Sequence, residues 1–300
     1  MDTIDIRINV KDFTTVEEII SEFNKVDDLN KIYNIEIVLY KFVLPEILAL
    51  IVAMYKNKKY EGFNFDIKLS GELNTYAERL DFYKHLEVDV EKCNRYSAEG
   101  RFVEITKFSS DNNINLVNSI MSIFEENLDI DRDVLSCMNY CLFEIVDNVQ
   151  NHAKSPIDGY LVAQRYKNRG ELRVSFIDCG IGIHKSLTEG KNEEYNNLTE
   201  EEALTECLKR EVTNGNGMGN GLYHTSRFIE SNRGILTIYS GKNKIIVSDS
   251  ENEIKKIPYF KGTIVSLLID LDNTVDLLDI FDGDIPVTVE EYGECIKGLW

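Results

Sequence analysis

The feature that most narrows the fold is an alternation of apolar periods near the start of the chain. Ile4, Ile6, Ile8 and Val10 recur every second residue around Asp5, Arg7 and Asn9, the pattern of a strand with one buried face. Val16, Ile19, Ile20 and Phe23 then step at helical spacing. Residues 35–39 read as a second strand. A helix follows through Pro45, whose missing N–H costs nothing in a first turn, and continues through Ala53 to Tyr55. Phe63, Phe65, Ile67 and Leu69 alternate again, and Tyr76, Leu80, Tyr83 and Leu86 mark a third helix. Strand then helix, three times over residues 1–90, specifies a compact α/β layer domain.

Residues 91–100 are polar and read as a connector, after which residues 102–108 look like the first strand of a second domain, and residues 115–124 a helix. A longer amphipathic helix begins near Asp131 or Asp133 and carries Val134, Leu135, Met138, Cys141, Leu142, Ile145, Val146 and Val149 on one face. Glu144, Asn148 and His152 stand four apart along its edge, so a carboxylate and a carboxamide can act together at a pocket wall. A solvated helix edge is the plainer reading. Further on, Leu172, Val174 and Phe176 form a strand that ends at Asp178, followed by Gly180 and Gly182. An ionised Asp only accepts hydrogen bonds and so suits the exocyclic amine of adenine, while the glycines let a planar ring approach the backbone. An Asp-Gly turn leaving a strand is the alternative. The run Gly215-Asn-Gly217-Met-Gly219-Asn-Gly221-Leu222 leads straight into a helix, where converging backbone N–H groups cradle phosphate. It lacks the context of a Walker or Rossmann loop, and a flexible linker is the plainer reading.

Taken in order, E-x-x-x-N on a helix, D-x-G-x-G after a strand and G-x-G-x-G-L before a helix resemble the GHKL superfamily of ATP-binding domains. That superfamily includes gyrase, heat-shock chaperones, histidine kinases, mismatch-repair ATPases and anti-sigma-factor kinases. Phe260-Lys-Gly262-Thr263 looks like its last motif, a Gly-Thr opening a final strand. The resemblance covers roughly residues 101–270 and implies a Bergerat-type α/β sandwich with a mixed sheet. It implies ATP and Mg²⁺ as ligands. Asn148 would bind Mg²⁺, Asp178 the adenine amine, Gly182 would lie against the ring with Gly180 in the same nucleotide-binding motif, and Thr263 would hold a bridging water. Gly217, Gly219 and Gly221 would surround the phosphates, with Leu222 closing the same nucleotide-binding motif, and Glu144 would polarise an attacking water. Residues 184–216 would be the lid, with Thr199 and Glu202 forming a capping box and Lys185, Lys209 and Arg210 as candidate phosphate contacts. The first ninety residues resemble a STAS-type domain. Where such domains carry a phosphorylatable hydroxyl this chain has Lys41-Phe-Val-Leu-Pro45, so the resemblance implies docking without a phospho-switch.

A formal net charge of −19 argues against nucleic-acid binding and against docking on anionic lipid. Six scattered cysteines without a C-x-x-C pair suit a reducing cytoplasm. No signal peptide is expected, and the longest apolar run, 42–54, is too short to span a bilayer. His85, His152, His184 and His224 share no metal-ligand spacing, and no phosphoaccepting dimerisation helix marks a sensor kinase. A hairpin is expected across Ser240-Gly-Lys-Asn. Residues 271–300 hold eight acidic residues against Lys297, with apolar Val275, Leu277, Leu278, Ile280 and Phe281 among them; this acidic tail either packs on a domain or binds a partner. The leading expectation is a cytoplasmic, bacterial-type, Mg²⁺-dependent ATP-binding protein and slow ATPase that regulates a protein partner. The alternatives are a Ser/Thr protein kinase like the anti-sigma kinases, and a non-catalytic nucleotide sensor. A homodimer is compatible with the resemblance.

Overall fold

The computed structural model describes residues 2–71, 74–90, 100–108, 113–124, 130–215 and 219–291. Strands β1 (Thr3–Val10), β2 (Ile32–Leu39) and β3 (Asn64–Ser70) form a parallel sheet in that order, connected through α1 (Val16–Phe23) and α2 (Pro45–Tyr60). Thr15 caps α1 in a reciprocal box with Glu18, whereas no side chain caps α2 at Leu44. The third expected helix is two short ones, α3 (Thr75–Arg79) and α4 (Phe82–Leu86). Asp81 between them has a φ of 61°, a left-handed conformation that a continuous helix cannot absorb.

The 42–54 apolar run explains itself in α2. Every residue from Ile47 to Met54 is at most 7% exposed, so this helix needs cover on all sides. Ile6, Ile8, Ile35 and Ile37 of the parallel sheet supply one side, and Tyr160, Val162, Ile177 and Ile264 of a second sheet supply another. The two halves of the chain therefore share one core around α2.

The second half runs β4 (Phe102–Phe108), α5 (Asn113–Met121), α6 (Arg132–His152), β5 (Gly159–Tyr166), β6 (Glu171–Asp178), α7 (Gly182–Thr188), α8 (Glu200–Glu206), α9 (Gly221–Asn232), β7 (Ile235–Val247), β8 (Asn252–Asp270) and α10 (Leu277–Ile280). Its sheet has the order β4-β5-β6-β8-β7. Expected to be mixed, this sheet is antiparallel at every pairing. The reason is that β8 returns from β7 and inserts beside β6, so the parallel pair β6 and β7 never touch. One face carries Tyr160, Val162 and Ile177 towards α2. The other carries Leu161, Ala163, Val174 and Phe176 towards Leu142 and Ile145 of α6 and Phe228 and Ile229 of α9. The whole is a mixed α/β protein layered sheet, helix, sheet, helix.

Two strand expectations need correcting. No hairpin forms across Ser240-Gly-Lys-Asn, because β7 runs on to Val247. Gly241, with a φ of 63°, makes a bulge there, and Glu200 of α8 accepts hydrogen bonds from the Lys242 N–H (2.8 Å) and the Asn243 side chain (3.2 Å). Nor does Gly262-Thr263 open a strand: it lies inside the long β8, where the register against β7 shifts. The connector expectation falls on residues 91–99, outside the described residues. The described part of the tail, up to residue 291, does pack, since Ile280, Phe281 and Val289 are all buried in the core of the second half. Among the described residues no helix is long and apolar enough to cross a membrane.

Candidate functional site

Helix α6 starts cleanly because Asp131 caps it, its carboxylate accepting from the Asp133 N–H at 2.9 Å and the Val134 N–H at 3.3 Å. Its buried face packs on the sheet, which turns the edge holding Glu144, Asn148 and His152 onto a cavity of about 750 Å³. Strand β6 ends at the same cavity with Asp178, and Thr263 sits beside it as its register partner on β8. Gly182 of α7 and Gly219, Gly221 and Leu222 at the start of α9 complete this wall. Residues from four separated stretches of the sequence thus face one space. Gly217 lies outside the described residues.

Asp178 is 2% exposed, and its Oδ1 accepts the Gly180 N–H at 2.8 Å. Burial pushes its carboxyl up to about 7, against the opposing pull of the Gly180 N–H and Thr263. Gly180 does not line the cavity. A Cβ there would strike the Ala153 carbonyl, so its glycine lets the chain pass under α6 and aim Asp178. Gly182 has a φ of 75°, and a Cβ would come within 2.8 Å of Ser240 Oγ. That hydroxyl donates to the Gly262 carbonyl at 3.0 Å and accepts from the Ile183 N–H at 3.0 Å, tying α7, β7 and β8 together around Asp178.

At the other end, Glu144 lies directly against Gly221, where any Cβ would meet its carboxylate. Burial raises the Glu144 carboxyl, the neighbouring Asp147 adds to this, and a hydrogen bond with Tyr140 opposes it. The Tyr140 hydroxyl also reaches His224 Nδ1 at 3.0 Å. Gly219, with a φ of 74°, passes so close to Val212 that a Cβ would lie 2.5 Å from its carbonyl oxygen. No side chain caps α9: the side chain of Asn220 instead accepts the Glu211 N–H at 3.0 Å. The first-turn N–H groups of α9 therefore remain available to an anion. His152 is held low by burial, partly offset by Asp147 and a hydrogen bond with Asn214, and its Nδ1 is buried without a partner at the cavity edge.

The lid expectations separate. The capping box of Thr199 and Glu202 forms as expected. Lys185 pairs with Glu189 at 3.8 Å and Lys209 with Glu206 at 2.6 Å, and neither lines the cavity. Arg210 does line it. Several lining groups escape a reading of the sequence. Tyr140 stands four residues before Glu144 and continues the same edge, so helical spacing could have found it. His224, Phe281 and residues 284–288 arrive by packing alone.

The walls carry Glu144, Asp147, Asp178 and Asp284 against Arg210, so a polyanionic ligand would need a cation with it. Among the described residues no cluster of three His, Cys, Asp or Glu side chains forms a metal cage. The carboxamide of Asn148, one turn from Glu144 on α6, fits instead a hard ion that takes its remaining ligands from phosphate and water. Neither the protein-family models nor the curated proteins searched give a match to this chain.

Proposed function

We propose that the protein is a Mg²⁺-dependent ATP-binding protein of the GHKL type, with slow hydrolysis as its chemistry and a STAS-like N-terminal layer as its docking half. The observation that carries this reading is convergence: Glu144, Asn148, Asp178, Gly182, Gly219, Gly221, Leu222 and Thr263 all line one cavity. In this reading the buried Asp178 accepts from the adenine amine, and the space kept by Gly182 takes the ring edge. The uncapped first turn of α9 faces the phosphates, with Arg210 beside it. Asn148 would hold Mg²⁺, which supplies charge neutralisation to phosphates lying between acidic walls. Glu144, its affinity for a proton increased by burial, would take the proton of an attacking water.

The test is calorimetric titration with ATP, with and without Mg²⁺. Magnesium-dependent binding between millimolar and micromolar, about 4 to 8 kcal/mol, is expected, together with loss of the magnesium effect in Asn148→Ala. Absence of binding at millimolar ATP would refute the reading.

A further inference from the structure

The C-terminal stretch crosses the mouth of the same cavity. It is anchored at both ends by buried side chains, Phe281 at 1% and Val289 at 1% exposure. Phe281 stacks edge-on against Tyr140 (5.3 Å between ring centroids) and His224 (4.9 Å), the two residues behind Glu144. Asp282 and Gly283 both take positive φ, 53° and 81°, and this reversal turns the following residues over the opening. Asp284, Ile285, Pro286, Val287 and Thr288 line the cavity, although Val287 is 65% exposed.

Asp282 fastens this segment. Its Oδ2 accepts the Tyr223 hydroxyl at 2.7 Å and lies 3.7 Å from Arg210 Nη1, while its Oδ1 lies 3.7 Å from Arg227 Nη2. Arg227 also donates to the Asp279 carbonyl. Among the described residues Arg210 is the Lys or Arg side chain that lines the cavity, so Asp282 holds the group that a phosphate chain would use. Asp284 adds a negative charge to the same opening.

We propose that residues 276–291 are a built-in strap that competes with the nucleotide, latched by Asp282 on Arg210, Arg227 and Tyr223. This rests on the nucleotide reading above. Two half-exposed ion pairs make a weak latch, suited to opening rather than to permanent closure. With the strap latched, bound ATP must displace Asp282 from Arg210 and meet Asp284; with it released, the phosphates gain Arg210.

The experiment uses the full chain and three proteins: the parent, Asp282→Asn, and Asp279→Asn as a control that removes the same charge from the strap without touching the latch. Each is titrated with ATP and Mg²⁺, and amide hydrogen exchange is followed over residues 276–291. Asp282→Asn should bind ATP about three- to tenfold more tightly and exchange faster in the strap, with exchange elsewhere unchanged and Asp279→Asn like the parent. Faster strap exchange with unchanged or weaker ATP binding overturns the strap as a competitor and leaves the nucleotide reading standing. Unchanged strap exchange overturns the latch. If none of the three binds ATP, the nucleotide reading fails, and the competitor role falls with it.

Discussion

Asp178 concentrates the pH behaviour of the site. Its carboxyl is pushed up to about 7 by burial, and the protonated acid, which keeps only its carbonyl oxygen as a good acceptor, is a poorer partner for an adenine amine than the carboxylate. The ionised form is the better acceptor, so ATP affinity should fall as pH drops below about 7, by less than about tenfold per pH unit, and level off once the acid is fully protonated. Asp178→Asn should flatten this component of the slope, which calorimetry across the pH range would show by difference, since the phosphates titrate alike in both proteins. Glu144 makes the complementary case. Glu144→Gln should leave ATP affinity nearly unchanged and lower hydrolysis by about 10²- to 10⁴-fold in a phosphate-release assay. A variant hydrolysing as fast as the parent would show that Glu144 is not the base.

Helix α9 begins in a space shared with Glu144, and its first residue has no room for a side chain. Gly221→Ala should displace the Glu144 carboxylate, cutting hydrolysis and lowering stability by about 1–3 kcal/mol, measurable by phosphate release and chemical denaturation. How legible each element was follows from how local its cause is. The strands and helices before residue 90 could be read because their apolar periods are properties of short segments. The all-round burial of α2 could not, since it depends on strands more than a hundred residues away, such as β5 and β6. Ser240-Gly-Lys-Asn has turn chemistry, but Glu200 satisfies its backbone and lets the strand run through. The site divides the same way. Glu144, Asn148, Asp178 and the glycines each sit in a local motif, whereas His224 and the strap are brought in by tertiary packing.

At the scale of the molecule, α2 is the element that both sheets need. Leu50 is 1% exposed, and Leu50→Ala should cost about 2–5 kcal/mol through lost burial and the cavity left behind. Because the covering residues come from both halves, thermal unfolding followed by circular dichroism should show one transition, moved down as a whole; two separate transitions would contradict a shared core. Polar ties cross the same boundary, from Lys244 to Glu17 (2.5 Å), from Lys261 to Glu61 (2.8 Å) and from Asn24 to the Tyr259 carbonyl (2.9 Å). The shared helix also sets a timetable for synthesis. At about 5–20 residues per second, β5, about a hundred residues on, leaves the ribosome roughly 5–20 s after α2. For that interval one apolar side of α2 has nothing to rest on, so the nascent chain offers chaperones a sticky surface that the finished protein conceals.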